Sequence, residues 1–363
     1  MYTNALNILK KLNKNGYEAY IVGGYPRDLY LERTSVDIDI CTNATPKEIK
    51  DVFGNAMLHE VNYGSVTVIK NKIRFEITTF RRDIKYVNNR FPVEMEYVDN
   101  LLEDLKRRDF TINTLCIDSE GNRIDLLDGI KDIDNKIIRT VGNPKIKLRE
   151  DALRILRAIR FATELDFKLD EELKKYIKEY KHLLKNLSYE RKKEELEKIF
   201  SSKNVRYGLE LIQELGLDEP LELHNINDVV PIDSIGIWSQ LDVLDIYPFT
   251  KEEKQTIKIV NEYKNSDLYD IDTLYKCSKY GLGYLYMICS IKGIDFKEIE
   301  KKYINLPIKS KKDIDFHPND LIKLGIQGPE IKEIMDDLEY KILHDDIENK
   351  REVLKYYILN IYK

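Results

Sequence analysis

The sequence lacks the marks of several protein classes. No run of about 18 apolar residues occurs, so no membrane-spanning helix and no membrane partner are predicted. No basic patch followed by an apolar stretch opens the chain, so no secretion signal is predicted and the cytoplasm is the expected location. The cysteines form no CxxC pair and have no histidine at zinc-ligand spacing, so they are predicted to be buried apolar side chains. They are Cys41, Cys116, Cys277 and Cys289. Nothing in the sequence indicates an obligatory protein partner.

The formal net charge of −5 over 363 residues argues, taken alone, against a nucleic-acid partner. The charge is unevenly distributed, because residues 141–205 contain 17 Lys and Arg against 12 Asp and Glu. That segment carries a balance of +5, and the remainder of the chain carries −10. A basic segment inside an acidic chain predicts a local contact with nucleic acid.

The chain divides into an α/β part and a helical part. Runs with period two predict short strands within the first 140 residues, and helical stretches separate them. The predicted strands are 20–22, 36–40, 66–69 and 74–80, and the predicted helices are 4–12 and 46–53. Thr45 is the expected N-cap of the second helix, with proline at N1. From Leu148 onward the apolar period is helical, which predicts a small α/β head followed by a long helical remainder.

Gly23 and Gly24 follow directly on the first predicted strand. Two glycines allow the backbone to approach a bulky anion, and a helix starting near Pro26 would point its N–H groups at that anion. Arg27 is a candidate for a charge-assisted contact with a phosphate. The alternative is an ordinary turn, since a glycine pair alone most often marks one.

Three acidic residues are candidates for a metal site. Asp37 and Asp39 lie two apart on a predicted strand, so both side chains are expected on one face. Neighbouring carboxylates repel each other unless a cation lies between them, and Mg²⁺ is the cation that prefers such oxygen ligands. Glu76 lies on another predicted strand and could complete the set. The alternative is a solvated strand face.

A second polar cluster lies at 107–113. Asp109 and Asn113 are four residues apart, and on a helix they would share one face suited to the hydroxyl groups of a sugar. Arg107 and Arg108 precede them. The alternative is that the adjacent arginines of this segment are only solvated.

The segment 150–161 is predicted to be one helix with a buried stripe of Leu153, Leu156 and Ile159. Asp151 and Arg154 lie one turn apart on its polar side, and they form either an exposed ion pair or a donor and acceptor pair that reads a base edge. The local positive charge favours base recognition. Arg154, Arg157 and Arg160 recur at a spacing of three along the same helix.

Five segments, in this order, resemble the motifs of the class II tRNA nucleotidyltransferase and bacterial poly(A) polymerase family. They are GGYPRDLYLERTSVDIDICTNATP, RRDFTINTL, residues 125–133, EDALRILRAIRF and residues 188–196. The resemblance implies an α+β fold in which a polymerase-β-like nucleotidyltransferase head with a small mixed β-sheet precedes an all-helical neck, body and tail. The implied domains are the head at 1–140, the neck for base recognition at 141–205, the body at 206–300 and the tail at 301–363, the last two binding tRNA.

The resemblance also implies a role for each candidate residue. Asp37, Asp39 and Glu76 match the catalytic carboxylates that hold Mg²⁺. The residues that match nucleotide-binding positions are Gly23, Gly24 and Arg27 for the triphosphate, Arg108, Asp109 and Asn113 for triphosphate and ribose, and Asp151 and Arg154 for the base, with Arg157 and Arg160 beside them.

The implied activity is template-independent addition of CCA to the 3′ end of tRNA from CTP and ATP, with release of pyrophosphate. Residues 86–92 resemble the loop that such enzymes need for the final A, but Asn88 or Asn89 replaces the usual aspartate and Phe91 replaces an arginine. A-only or poly(A) addition therefore stays open. Residues 320–331 and 349–354 resemble the tail of bacterial CCA-adding enzymes. A non-catalytic RNA-binding protein on this scaffold is the alternative of another class, although such a copy would be expected to lose a metal ligand.

Overall fold

The computed structural model describes residues 1–35, 37–54, 64–87 and 91–362. The chain folds into two compact units, of which the first contains residues 1–224 and 246–248 and the second contains residues 225–245 and 249–363. The predicted division into head, neck, body and tail is finer than these two units and stays a prediction. In the described part of the chain, no helix has the length and apolar character needed to cross a bilayer.

The first unit begins with the predicted alternation of helices and short strands. Its strands are β1 (Ala19–Val22), β2 (Asp39–Thr42), β3 (Ser65–Lys70), β4 (Ile73–Thr79), β5 (Arg81–Val87), β6 (Phe91–Tyr97), β7 (Cys116–Ile117), β8 (Arg123–Ile124), β9 (Ile137–Ile138) and β10 (Lys168–Leu169). Its helices are α1 (Tyr2–Lys14), α2 (Gly24–Tyr30), α3 (Pro46–Phe53), α4 (Leu101–Lys106), α5 (Gly129–Asp134), α6 (Pro144–Glu150), α7 (Leu153–Leu165), α8 (Glu171–Tyr180), α9 (Tyr189–Phe200), α10 (Val205–Glu214) and α11 (Asp218–Leu221).

Among the described residues, six strands form one sheet in the order β3-β4-β2-β1-β7-β8. The pairing of β2 with β4 is parallel and the other pairings are antiparallel, which confirms the predicted mixed sheet. Helix α3 begins where the sequence predicts, because the Thr45 hydroxyl accepts from the N–H of Glu48 while the Glu48 carboxylate accepts from the N–H of Thr45. Strands β5 and β6 pair with each other as a separate two-stranded sheet.

The sheet buries one face completely. Apolar residues of α1 and α3 pack on inward-facing residues of β2, β3 and β4, among them Ile40, Val66, Phe75 and Ile77. Because side chains alternate along a strand, Asp39, Ser65, Thr67, Glu76 and Thr78 face the other side. Near β1 that other side is covered by Leu101 and Leu105 of α4, and the face of β3 and β4 is left for the polar residues described below.

Two details of the predicted secondary structure are wrong. The strand expected at 36–40 begins only at Asp39, although the alternation of buried and exposed residues already includes Asp37 and Ile38. The helix expected at 150–161 is two helices, because Asp151 adopts extended backbone (φ −141°, ψ 104°) between α6 and α7. The helical part also contains the two-residue strand β10, which pairs with β9.

The second unit is helical in its described residues. Its helices are α12 (Ser234–Trp238), α13 (Lys251–Tyr263), α14 (Ile271–Ser278), α15 (Leu282–Lys292), α16 (Phe296–Ile304), α17 (Pro318–Lys323), α18 (Glu330–Leu343) and α19 (Arg351–Ile361). One apolar cluster lies among α13 to α16 and another among α17 to α19. All four cysteines are free and buried, which confirms their prediction as apolar side chains.

Candidate functional site

The two-glycine turn lies against a metal-site candidate. Gly23 has φ +86°, a conformation that favours glycine, and a Cβ added there would lie 3.4 Å from Oδ2 of Asp39 and 3.9 Å from Arg108 Nη1. Helix α2 begins at Gly24 directly after this turn, two residues earlier than predicted. The positive φ is therefore what favours glycine at this position, since an added Cβ would meet Asp39 and Arg108 only at ordinary van der Waals distances.

Asp39 and Glu76 lie on neighbouring parallel strands and are direct register partners. Burial raises the pKa of Asp39, and the negative charges of Glu76 and, to a smaller extent, Asp37 raise it further. The positive charge of Arg108 lowers the same pKa but does not outweigh these effects. Asp37 precedes β2 and is exposed. In the described ranges no three acidic, histidine or cysteine side chains already converge in a metal-holding arrangement. The negative charge collected around Asp39 nevertheless fits a cation bound by oxygen ligands.

Arg27 connects α2 with the second predicted cluster. Its side chain is 6% exposed, and its Nη1 donates to Oδ1 of Asn113 at 2.7 Å while Nε and Nη2 donate to Asp28 at 2.9 and 2.8 Å. Asn113 in turn donates to Asp109 Oδ1 at 3.1 Å. The helix on which the two would share a face is not formed, because Asp109 lies in a loop and Thr111–Asn113 form one 3₁₀ turn. The two side chains still meet, through a turn instead of a helix face.

Asp104, which sequence reasoning missed, holds two arginines of the site. Its side chain is fully buried and accepts from Arg107 Nε at 2.8 Å and from Arg108 Nη2 at 3.2 Å, and its Oδ1 accepts from the N–H of Arg81 at 3.2 Å. Burial alone would raise the pKa of Asp104, but the charges of the two arginines outweigh it and lower that pKa. The spacing of Asp104 three and four residues before Arg107 and Arg108 on a helix was the signal that could have identified it.

Arg154 is not on an exposed helix face. It is 5% exposed, and its guanidinium donates to the carbonyl of Lys147 at 2.9 Å, to Glu150 at 2.9 Å and to the carbonyl of Arg107 at 3.1 Å. Asp151 accepts from the N–H of Leu153, the first residue of α7, at 3.0 Å. The simple reading as an exposed ion pair between Asp151 and Arg154 is therefore wrong.

Phe161 gathers three arginines around one ring. The guanidinium carbons of Arg27, Arg157 and Arg160 lie 5.2, 5.3 and 4.1 Å from its centroid. Arg157 also donates from Nε to Asp109 at 2.7 Å. Sequence reasoning placed Phe161 in the fourth motif without assigning it a role.

These residues line one cavity of about 560 Å³ within the first unit. Its lining includes every predicted site residue except Glu76, and it adds Tyr25, Ser35, Arg81, Asp83, Arg107, Leu153 and Phe161. Glu76 lines an adjoining cavity of about 620 Å³ that also contains Asp39. The arrangement offers guanidinium groups for an anion, carboxylates for a cation, and both donors and acceptors for a base.

The predicted loop at 86–92 joins β5 to β6. Asn88, Asn89 and Arg90 lie outside the described residues, so the departures from the usual loop pattern are not placed. On either side of them the backbone is paired, with Val87 opposite Phe91.

Three family models match successive parts of the chain. A "Poly A polymerase head domain" matches residues 19–139, a "Probable RNA and SrmB- binding site of polymerase A" matches residues 166–225, and a "tRNA nucleotidyltransferase domain 2" matches residues 247–358. The resemblance found in the motifs is thereby confirmed.

Relatives are similar over nearly their whole length. The CCA-adding enzyme of Ligilactobacillus salivarius is 36% identical, with 97% of this chain and 95% of that protein covered. The solved structure of the Bacillus stearothermophilus CCA-adding enzyme in complex with CTP superposes with a TM-score of 0.79 at 27% identity, covering 98% of this chain and 96% of that chain. The Thermotoga maritima CCA-adding enzyme complexed with tRNA has a TM-score of 0.76 at 22% identity over 99% and 95% of the two chains, which supports the fold.

Proposed function

The chain belongs to the family of CCA-adding enzymes, which are tRNA nucleotidyltransferases, and from this premise we propose how its own residues act. In the proposed reaction CTP and ATP supply C, C and A in turn to the 3′ end of tRNA, with no nucleic-acid template. The observation that carries this proposal is the single cavity in which the glycine turn, the carboxylate of Asp39 and the arginines of α7 meet.

The triphosphate is assigned to the turn and its nearby arginines. Arg27 and Arg108 have guanidinium groups that suit phosphate oxygens, and Gly23 leaves room for those oxygens beside Asp39. Asp109 and Asn113 are proposed to face the ribose, and their hydrogen bonds to Arg157 and Arg27 keep both arginines in place. These contacts would hold the nucleotide in the orientation that the transfer requires.

A divalent metal is typical of the family, and we propose Mg²⁺ held by Asp37, Asp39 and Glu76. Asp39, with Glu76 as its register partner, provides oxygen ligands of the kind that Mg²⁺ prefers. When bound, Mg²⁺ supplies charge stabilisation to the triphosphate and activation of the RNA hydroxyl.

The reaction forms one bond and breaks one. The 3′ oxygen of the RNA bonds to the α-phosphorus of the nucleotide, the bond from that phosphorus to the bridging oxygen breaks, and pyrophosphate and a proton are released. The guanidinium groups of Arg27 and Arg108 stabilise the negative charge on the leaving phosphates. No covalent intermediate with the protein is required.

The selection of the nucleotide base is assigned to α7 and to Asp151, the extended residue between α6 and α7. Asp151 and Arg154 line the cavity and present an acceptor and donors, the combination that can pair with the edge of a cytosine or an adenine. Arg157 and Arg160 lie one and two turns further along the same helix and complete this wall. Because side chains make the choice, a template strand is unnecessary.

The remaining assignments follow the same premise. We propose that the head at 1–140 carries the chemistry, the neck at 141–205 recognises the base, and the body at 206–300 and tail at 301–363 bind tRNA. We also propose a cytoplasmic location for the protein, which accords with tRNA as its substrate. No observation favours A-only addition or a non-catalytic RNA-binding role, since all three predicted carboxylates are present and the relatives are named CCA-adding enzymes.

A stepwise incorporation assay tests the proposal. Labelled CTP and then labelled ATP are offered with Mg²⁺ to tRNAs that end before, within and after CCA. We expect two C and then one A, and no addition to the complete end. Failure to incorporate either nucleotide would overturn the proposal.

A variant pair tests the carboxylates. Asp39→Asn is expected to lower incorporation at least about 100-fold, the scale on which removal of a charge-stabilising group acts. Asp51→Asn is the matched control, because Asp51 is an exposed residue of α3 on the opposite side of the sheet. Equal activity of the two variants would remove Asp39 from the catalytic set.

A further inference from the structure

The second cavity adjoins the first along a shared wall. Both cavities contain Asp39, Arg81, Arg107 and Arg108, but only the first contains the glycine turn and the arginines of α7. The second has a volume of about 620 Å³ and lies within the first unit. Asp39 thus stands at the boundary between two spaces of comparable size.

The far wall of this second cavity is a row of neutral hydroxyls. Ser65 and Thr67 of β3 and Thr78 of β4 line it together with Glu76. The register explains the row, because Ser65 pairs with Thr78 and Thr67 pairs with Glu76. All four side chains lie on the sheet face opposite the apolar core, where each is half-buried or exposed.

The hydroxyls of this row can still form hydrogen bonds with a ligand. Ser65 Oγ and Thr78 Oγ1 are 3.0 Å apart, which uses one donor and one acceptor of the pair. Each hydroxyl has one donor and two acceptor sites, so the row can still both donate and accept. Hydroxyls carry no charge and fit the sugar-phosphate part of a nucleic acid, whose contacts position a chain without reading its sequence.

Resting on the proposed function, we propose that the second cavity binds the 3′-terminal nucleotide of the RNA, held by Ser65, Thr67 and Thr78 through its sugar and phosphate. The transfer requires the RNA hydroxyl and the nucleotide triphosphate on two sides of the same carboxylates. Of the two arginines assigned to the triphosphate, Arg27 lines only the first cavity and Arg108 lines the wall that both share, and the second cavity provides the other side of the carboxylates.

The chemistry of the row also suits the order of the reaction. The RNA end changes after each addition, from the unextended tRNA to C and then to CC. One subsite must accept all of these ends, and a base-specific pocket would reject some of them. Hydroxyl contacts to sugar and phosphate are common to every end.

The test separates RNA binding from nucleotide binding. Thr67→Val and Thr78→Val remove one hydroxyl each while keeping the β-branched shape that suits a strand. We expect kcat/KM for tRNA to fall about fivefold to tenfold per hydroxyl, the effect of losing one hydrogen bond. Direct binding of CTP, measured by calorimetry, is expected to be unchanged, which also shows that each variant is folded.

Three comparisons make the result specific. Thr67→Ser keeps the hydroxyl and is expected to retain near wild-type activity. Thr3→Val is the matched control, because Thr3 is exposed on α1, the helix that covers the opposite sheet face. The loss in the valine variants is expected to be the same, within about twofold, for tRNAs ending before C, after C and after CC.

The outcomes distinguish the two proposals. If the wild-type chain incorporates neither CTP nor ATP, the proposed function fails and this subsite fails with it. If the wild type is active but the valine variants keep the wild-type kcat/KM for tRNA, only the subsite is overturned. A loss confined to one RNA end, or an equal loss in CTP binding, would also overturn it.

Discussion

Arg157 and Asp109 form an ion pair that joins the loop after α4 to the helix α7. Arg157 Nε donates to Asp109 Oδ2 at 2.7 Å, and the same oxygen accepts from Nη2. Burial would raise the pKa of Asp109, but the charge of Arg157 and hydrogen bonds from Asn113 and Arg157 hold that pKa well below its usual range. The loop after α4 and the helix α7 are therefore coupled through a charged contact.

Asp109→Asn is expected to lower the free energy of unfolding by about 1–3 kcal/mol. Losing one partner of a fully buried pair costs about 3–5 kcal/mol, and we take a smaller value because the side chain of Arg157 is 32% exposed. Urea unfolding followed by circular dichroism measures the change. Glu194→Gln, in an exposed pair with Arg191, is the control and should change stability by about 0.5 kcal/mol or less. Equal effects of the two substitutions would contradict a coupling role for Asp109.

Asp104→Asn is expected to weaken nucleotide use through Arg107 and Arg108. The buried carboxylate accepts from both guanidinium groups, and its charge raises the pKa of the Arg108 guanidinium against the opposing effect of burial. Without that charge the arginines lose their fixed positions at the wall shared by the two cavities. We expect the KM for CTP to rise about tenfold, on the scale of one charge-assisted hydrogen bond.

The neighbouring Glu103 provides the control for Asp104. Glu103 lies on the same helix and accepts from Lys106 at 2.6 Å, but it lines neither cavity. Steady-state kinetics with varied CTP should show a wild-type KM for Glu103→Gln. A wild-type KM for Asp104→Asn as well would show that the arginines keep their positions without the carboxylate.

The local signals in the sequence identified α1, α3, β1, β3 and β4 of the head, but not β5 to β9, α4 or α5. Thr45 as N-cap with proline at N1 placed α3 at its observed start, and alternation identified β3 and β4 to within one residue at each end. The pairing of β2 with β4 could not be predicted, because strand order depends on long-range contacts that no local pattern contains. That pairing is what makes Asp39 and Glu76 register partners.

The errors arose where a tertiary contact replaced a helical one. A spacing of four suggested one helix face for Asp109 and Asn113, yet a 3₁₀ turn brings them to 3.1 Å. Helical periodicity across Asp151 concealed the break, because an acidic residue between two helices also fits within a continuous helical pattern. Burial of Arg154 could not be predicted, since its partners include the carbonyl of Arg107, which is 47 residues away.

A pH-dependent stability difference is expected at Asp320, in the second unit. Arg351 donates to Asp320 at 2.6 Å, and this hydrogen bond together with the N–H of His317 lowers the pKa of Asp320 to about 2. An unfolded aspartate has a pKa of about 3.9, so the stabilisation is complete above that value and is lost as the pH falls through about 2. Asp320→Asn should therefore melt below wild type at pH 7.

The pH dependence of this difference is the measurement. Thermal unfolding of both proteins between pH 7 and pH 2 should show a constant gap at the upper end that narrows below about pH 4 and closes near pH 2. Glu348→Gln, which breaks the exposed pair with Lys350, should show no such gap. A gap between Asp320→Asn and wild type that stays constant down to pH 2 would contradict the assignment.

Arg154 is held in one orientation by the chain itself. Its guanidinium donates to the carbonyls of Lys147 and Arg107 and to the carboxylate of Glu150, and the residue also lines the first cavity. A fixed guanidinium presents its donors in one plane, which suits bidentate recognition of a base edge better than the flexible ammonium of a lysine. The choice between C and A should therefore depend on the guanidinium shape as well as on its charge.

Arg154→Lys is expected to reduce the preference for CTP over ATP on tRNA that lacks the whole CCA end. A bidentate contact discriminates between bases by about 1–3 kcal/mol, so the ratio of kcat/KM values should fall about tenfold or more. The dependence of the rate on metal concentration should stay as in wild type, because the proposed metal ligands are carboxylates and Arg154 is not one of them. Arg149→Lys, an exposed arginine of α6 outside the cavity lining, is the matched control and should keep the wild-type preference. Unchanged selectivity in Arg154→Lys with a wild-type melting temperature would show that the base is chosen elsewhere on α7.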